Sequence, residues 1–335
     1  MSSVDSGSVK KPLKKALKES LQGVFLDAET LGTGHLDTSS LDALPCRLTQ
    51  YDNSTGEEIV TRIKTAHVVL VNKVILDASV LQQAENLLYI GVTATGMNNI
   101  DLDYCKSNNI RVQNVEGYGT DSVAQHTLTL LLNLATNFAR YQRDVANGEW
   151  SASPHFCLST YQVTELAGKH AVIVGHGALG QRVEALLTAL GMKVSIAARP
   201  GKKDDSRPSL ASLLPSADVV TLHCPLTAEN EKLINGHTLS LMKPSCLLIN
   251  TARGGLVDEE ALLIALNNNQ IGGAGLDVLG KEPPPEDHPL LNANHPNLLI
   301  TPHNAWIATA SRQRLLDLTV NHLSHFLHAH SGVNT

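Results

Sequence analysis

The chain has 335 residues, long enough for two domains that each bury a core. With 42% hydrophobic and 17% charged residues and a formal net charge of −6, it has a globular composition and lacks the basic excess that bulk nucleic-acid binding needs. No apolar run nears the ~20 residues of a membrane span, and five scattered cysteines (Cys46, Cys105, Cys157, Cys224, Cys246) form no C-x-x-C, which suits a reducing cytosol rather than a disulfide framework or zinc cluster.

Residues 1–20 carry Lys10, Lys11, Lys14, Lys15 and Lys18, no Arg, and the acids Asp5 and Glu19. A transit peptide is Arg-rich and poor in acids, so this stretch reads as a flexible tail running into a short solvated helix. Strand and helix then alternate, which predicts parallel sheets covered on both faces. Strands are expected at 23–27, 46–49, 67–71, 88–92 and 110–112, with helices at 57–64, 79–85 and 101–107. A long helix follows, capped by Thr120 or Asp121 and reaching about Val145, with apolar residues at Val123, Leu128, Leu131, Leu132 and Leu134. Its broad apolar face suits packing between domains or subunits, and equally packing inside one core. A second series places strands at 171–174, 193–197, 218–222, 246–250, 273–277 and 297–301. Most are continuous apolar runs, as strands buried on both faces require. Residues 309–328 read as a closing helix.

The turn after the strand at 171–174 is Gly175-His176-Gly177-Ala178-Leu179-Gly180, a G-x-G-x-x-G with an amphipathic helix behind it. Gly175 permits the tight turn, Gly177 lets backbone approach a pyrophosphate, and Gly180 lets helix and strand pack closely. The helix N-terminus offers unpaired N–H groups and a positive dipole end to phosphates. An NAD site carries an acid about 20 residues on, for the ribose hydroxyls. Here the strand end reads Ala197-Ala198-Arg199-Pro200-Gly201-Lys202-Lys203: Ala198 stands in the acid's place and Arg199 follows. Loss of a carboxylate and gain of a guanidinium favour a 2′-phosphate, hence NADP(H), with NAD(H) still possible.

Downstream lie three short signatures: Asn250-Thr251-Ala252-Arg253-Gly254-Gly255, Gly280-Lys281-Glu282-Pro283-Pro284 and Ile300-Thr301-Pro302-His303-Asn304. A cation, a carboxylate and an imidazole are the parts that hold a carboxylate-bearing substrate and move a proton at neutral pH. Each falls in a loop after a strand, at the carboxyl edge where such sheets bind ligands. Other histidines carry less. His322, His325, His328 and His330 read as a solvated helix end, since no cysteine or carboxylate cluster completes a metal site. His126 reads as a buried, satisfied residue.

With these motifs in this order, the chain resembles the D-2-hydroxyacid dehydrogenase family from residue 23 to about 327. It is most similar to the glycerate dehydrogenase/hydroxypyruvate reductase group, through residues 93–101, 114–118, 221–227, 275–279 and 302–306. The resemblance implies a Rossmann cofactor domain (116–303) inserted into a flavodoxin-like substrate domain (21–115 and 304–335), both doubly wound parallel sheets, with the active site in the cleft.

It also implies roles. His303 is the acid/base. Glu282 orients its imidazole and stabilises the charged form. Arg253 binds the substrate carboxylate and polarises the carbonyl. Thr95 and Gly96 add backbone donors to that carboxylate, and Tyr118 and Trp306 line the pocket. Val123, Leu179, Cys224, Pro225, Asn230, Thr251 and Ala252 lie along the cofactor with the glycines of the turn, Arg199, Arg253 and His303. Asp277 faces the nicotinamide carboxamide. The implied activity is reduction of hydroxypyruvate or glyoxylate by NAD(P)H in a cytoplasmic homodimer. Alternatives are another 2-keto acid, formate or phosphite on the same fold, or a nicotinamide-sensing corepressor, which the motifs around Thr95 and Trp306 disfavour.

Overall fold

The computed structural model describes residues 21–202 and 204–331, with side chains as far as Ala329. The basic stretch 1–20, Lys203 and the side chain of His330 lie outside the described residues. The chain divides into two compact units, residues 21–119 with 307–331, and residues 120–306.

The first unit holds β1 (Gln22–Phe25), β2 (Arg47–Gln50), β3 (Val68–Val71), β4 (Tyr89–Val92) and β5 (Arg111–Gln113). All pairs are parallel, in the order β2-β1-β3-β4-β5. The runs Val-Val-Leu-Val and Tyr-Ile-Gly-Val are buried throughout because they occupy two strands flanked by others on both sides. The helix Thr309–Ser331 returns to this sheet and packs on β4. Leu315, Leu316, Leu323 and Leu327 are buried along it, and the rings of Tyr89 and Phe326 lie 4.8 Å apart. Each buried leucine contributes about 1.5–3 kcal/mol. At the carboxyl end of β1 the buried Asp27 carboxylate accepts the N–H groups of Asn72, Lys73 and Val74 at 2.8, 2.6 and 3.0 Å, which fixes the turn after β3.

The second unit holds β6 (His170–Val174), β7 (Lys193–Ile196), β8 (Val219–Leu222), β9 (Leu247–Asn250), β10 (Gly273–Leu276) and β11 (Leu298–Ile300). They too are all parallel, ordered β11-β10-β9-β8-β6-β7. From β6 the chain goes outward to β7 and then returns to β8 on the other side. The winding therefore reverses between β6 and β8, and ligands bind outside the carboxyl ends of strands at such a reversal.

Several elements differ from expectation. The long helix to Val145 is two helices, Thr120–Thr136 and Phe138–Ala146, separated by Asn137 at φ 53°. Asparagine tolerates this left-handed conformation because its short polar side chain can bond locally, here accepting at Oδ1 from Arg140 Nη1 at 3.1 Å, while Nδ2 donates to the more distant Gln162 carbonyl at 2.8 Å. The first helix buries Ala124, Thr127, Leu130, Leu131 and Ala135 within its own unit, against the helix Ala178–Ala189 and strands β9 and β10. The expected helix at 79–85 is one turn, Ala78–Leu81, capped by Asp77. The helix Glu259–Asn267, not singled out above, starts at an Asp258 cap followed by two acids.

Candidate active site

Because all strands of the 120–306 unit are parallel, the loops after them open on one edge of the sheet. The Gly-rich turn follows β6, Arg199 follows β7, Cys224 to Asn230 follow β8, Arg253 follows β9, Glu282 follows β10 and His303 follows β11.

Gly175 sits at φ 96°, and a Cβ there would come within 2.5 Å of the His223 carbonyl. The turn after β6 and the loop after β8 therefore touch backbone to backbone. No side chain caps the helix Ala178–Ala189 at Gly177, so its first amides are left for a ligand. These features fit a dinucleotide pyrophosphate. Along the same edge, Asn230 is buried and clamps its own loop, donating from Nδ2 to the Pro225 carbonyl at 2.8 Å and accepting from Thr227 N–H at 2.7 Å. Thr251 Oγ1 lies 2.9 Å from Thr127 Oγ1 on the helix Thr120–Thr136, which also carries Val123.

Beside the Gly-rich turn, burial pushes the His223 imidazole down from its ordinary 6.5 to about 3. Its Nε2 meets Thr221 Oγ1 at 2.9 Å, and Nδ1 has no partner among the described residues. The folded protein holds this ring neutral while the unfolded chain would protonate it near 6.5. Its contribution is thus complete above about pH 6.5 and is lost as pH falls toward 3. The melting temperature of His223→Asn is therefore expected to fall less steeply between about pH 6.5 and pH 4 than that of the parent; superimposable pH profiles would refute this.

The loop bearing His303 is over-determined. His303 has φ 51°, a conformation that costs a non-glycine residue about 1 kcal/mol or more. It is held there by its N–H to the Asp277 carbonyl at 2.9 Å. The next two amides, Asn304 and Ala305, donate to the Asp277 carboxylate at 3.0 and 2.9 Å. Thr301 Oγ1 donates to the same carboxylate at 2.5 Å and receives His126 Nε2 at 2.9 Å. Burial pushes the Asp277 carboxyl upward, but His126 Nε2, 3.4 Å from its Oδ1, and the hydrogen bonds from Thr301, Ala305 and Asn304 outweigh it and hold the group below its ordinary value. Asp277 thus stays ionised through the neutral range, and this anchor weakens only as acid protonates it. Its carboxylate is buried and braces the His303 loop.

Glu282 completes the arrangement. Its Oε2 lies 2.6 Å from His303 Nδ1, and its Oε1 accepts the Leu279 N–H at 2.9 Å. With Nδ1 taken, Nε2 is the nitrogen left to exchange a proton with a ligand. Trp306 Nε1 donates to the His303 carbonyl at 3.0 Å. Arg253 leaves β9 through a turn stapled by the buried Asn250, which donates to the Arg253 carbonyl at 2.9 Å and accepts Ala252 N–H at 3.0 Å. Asn250 stood in the sequence motif, but nothing in the pattern told its stapling role. Glu259 was also missed; it accepts Gly280 N–H at 2.8 Å and pairs with His288 at 3.3 Å.

Arg199 does not stand alone: its Nε lies 3.2 Å from Asp205, which also pairs with Arg207. Thr95, Gly96 and Tyr118 belong to the other unit. There Thr95 Oγ1 donates to the Val115 carbonyl at 3.0 Å, and Arg314 Nε donates to the Tyr118 carbonyl at 3.1 Å. Among the described residues no group of three or more His, Cys, Asp or Glu is placed to hold a metal ion, and no helix is long and apolar enough to cross a membrane.

A dinucleotide-binding edge carrying an imidazole–carboxylate pair and an arginine defines a nicotinamide-dependent oxidoreductase acting on small acids. Residues 128–305 match the model of the D-isomer specific 2-hydroxyacid dehydrogenase NAD binding domain. The chain is 40% identical over 299 residues to a glycerate dehydrogenase of Methylorubrum extorquens, covering 87% of this chain and 95% of that one. It is 37% identical over 311 residues to a hydroxypyruvate reductase of Blautia hydrogenotrophica, covering 91% and 96%. The crystal structure of the TT0316 protein of Thermus thermophilus superposes with a TM-score of 0.82 at 32% identity, covering 92% and 97%. The chain therefore belongs to the D-isomer specific 2-hydroxyacid dehydrogenase family and is an oxidoreductase of 2-hydroxy acids with a nicotinamide cofactor.

Proposed function

We propose that this enzyme reduces hydroxypyruvate and glyoxylate, to D-glycerate and glycolate, with NADPH preferred over NADH. The observation that carries the chemistry is the 2.6 Å pair of His303 Nδ1 and Glu282. The similarity to proteins named glycerate dehydrogenase and hydroxypyruvate reductase supports the substrate class.

When bound, the reduced nicotinamide supplies the hydride. His303 gives a proton from Nε2 to the carbonyl oxygen as negative charge develops there, and takes it back in the reverse direction. Glu282 holds the ring in the orientation that presents Nε2 and offsets the charge of the imidazolium. Arg253 binds the substrate carboxylate and polarises the carbonyl. Thr95, Gly96, Tyr118 and Trp306 are assigned to the substrate by the motifs that carry them. Val123, Leu179, Cys224, Pro225, Asn230, Thr251, Ala252 and Asp277 are assigned to the cofactor in the same way. The 120–306 unit serves as cofactor domain and the other unit as substrate domain.

The cofactor preference rests on Ala198 and Arg199. The enzyme works as a cytosolic homodimer. All five cysteines are free, and Leu132, Phe138, Val145, Trp150, Phe156 and Val163 are exposed within one stretch of chain, Phe156 at 91%.

The test is a panel of hydroxypyruvate, glyoxylate, pyruvate and phenylpyruvate with each cofactor. Hydroxypyruvate or glyoxylate with NADPH is expected to give the highest kcat/KM. No turnover with any acid would defeat the substrate reading, and equal efficiencies with NADH and NADPH would defeat the cofactor preference.

A further inference from the structure

We propose that Arg207, held with Arg199 on the carboxylate of Asp205, is a second cation for the 2′-phosphate of the cofactor, and that Asp205 is the residue that positions both. This rests on the NADP(H) preference above and names the residues that would produce it.

The loop after β7 folds back on itself: Ala198 N–H donates to the Pro208 carbonyl at 2.8 Å, bringing 205–208 beside the strand end. Asp205 Oδ2 there accepts Arg199 N–H at 2.9 Å, Arg199 Nε at 3.2 Å and Arg207 Nη2 at 2.5 Å. Its Oδ1 accepts Arg207 N–H at 3.2 Å and Arg207 Nε at 2.9 Å. A carboxylate thus does return to the edge where an NAD enzyme keeps its ribose-binding acid. It comes from seven residues beyond Ala198, and both its oxygens are taken.

The pairing with Arg207 is the side-on fork, which fixes the plane of the guanidinium as well as its place. It occupies Nε and Nη2 of Arg207 but only Nε of Arg199. Among the described residues, Arg207 Nη1 and both Nη groups of Arg199 keep their donors for a ligand. The Arg199 side chain is 58% exposed and that of Arg207 31%. Two guanidiniums against one carboxylate leave the cluster positive, matching a phosphate monoester of about −1.5 to −2 charge at pH 7. The hydrogen bonds from Arg207 and the Arg199 amide hold the Asp205 carboxyl well below the usual range, and Asp205 in turn raises Arg207, so the cluster stays charged at working pH.

The experiment measures dissociation constants of NADPH, NADH, adenosine 2′,5′-bisphosphate and 5′-AMP for the full-length protein and for Arg207→Gln, Arg207→Lys, Arg199→Gln and Asp205→Asn. Arg207→Gln is expected to weaken NADPH and the bisphosphate about tenfold or more, as loss of a charge-assisted contact does. NADH and 5′-AMP are expected to change less than about twofold. Arg207→Lys, which keeps charge without the fork, falls between. Asp205→Asn is expected to lower the NADPH-to-NADH preference although it removes a negative charge. A higher preference would show Asp205 to be an electrostatic brake and overturn its positioning role. A misfolded variant weakens all four probes together, so the ratio isolates the 2′-phosphate. If the parent binds NADPH and NADH alike, the cofactor reading fails and this assignment falls with it. If the parent prefers NADPH and Arg207→Gln keeps that preference in full, only the assignment of Arg207 fails.

Discussion

Replacing His303 with alanine is expected to lower kcat by about 10²–10⁴-fold while leaving the dissociation constant of the nicotinamide cofactor near that of the parent. The size follows from the role: without a proton donor at Nε2, the alkoxide formed by hydride arrival must take its proton from water. Reduction needs the proton that His303 gives, and oxidation of the hydroxy acid needs the same nitrogen to take one, so both directions are expected to suffer. Glu282→Gln keeps a polar group beside Nδ1 but removes the charge that stabilises the imidazolium, and is expected to cost about 10²-fold in kcat. Cofactor titration and steady-state kinetics in both directions on the purified variants check this. Loss of cofactor binding in His303→Ala with unchanged single-turnover chemistry would make the residue structural.

The second large effect is expected from one methyl group. A Cβ on Gly254 would run into the Leu279 carbonyl group and the Gly280 amide, backbone atoms that no rotamer change can move. Gly254 follows Arg253 directly, and Leu279 N–H is the donor that holds Glu282. Gly254→Ala must therefore part the loop bearing Arg253 from the loop bearing Glu282. Overpacking of this kind costs about 1–3 kcal/mol, or more where only backbone can yield. The expected result is a clear fall in melting temperature together with a loss of kcat/KM beyond that of an equally destabilised core variant. Gly255→Ala is the control: its Cβ would meet Leu226 Cδ2 at 2.8 Å, the far end of a flexible side chain, and should be nearly silent. Equal effects at the two positions would refute the argument.

The alternation of short apolar runs with helical periods gave the two parallel sheets, because strands buried on both faces can hold little else. The single helix to Val145 went wrong for a related reason. Apolar period continues across Asn137, and periodicity does not register one residue turning to φ 53°. Arg253, Glu282 and His303 could be named because each lies in a short motif at the end of a strand. What each side chain bonds to could not, since the partners come from other loops. Asp277 is a case in point: the motif marked it for the cofactor, and only the folded loops show its carboxylate accepting from Thr301, Asn304 and Ala305, with His126 behind Thr301.

The sequence by itself determined the fold class, the dinucleotide turn and the identity of the acid/base, cation and carboxylate candidates. Those depend on local backbone needs and on the period of buried side chains, which adjacent residues spell out. Only the tertiary structure decided the pairings: Glu282 with His303, Asp277 with the loop after β11, and Asp205 with Arg199 and Arg207. A hydrogen bond requires atoms within about 3 Å. Which carboxylate comes that close to which donor is fixed by how the loops fold back over the carboxyl edge of the sheet. The acid absent at Ala198 shows the difference. Spacing along the chain declared it missing, and the folded loop brings a carboxylate back, already committed to two arginines.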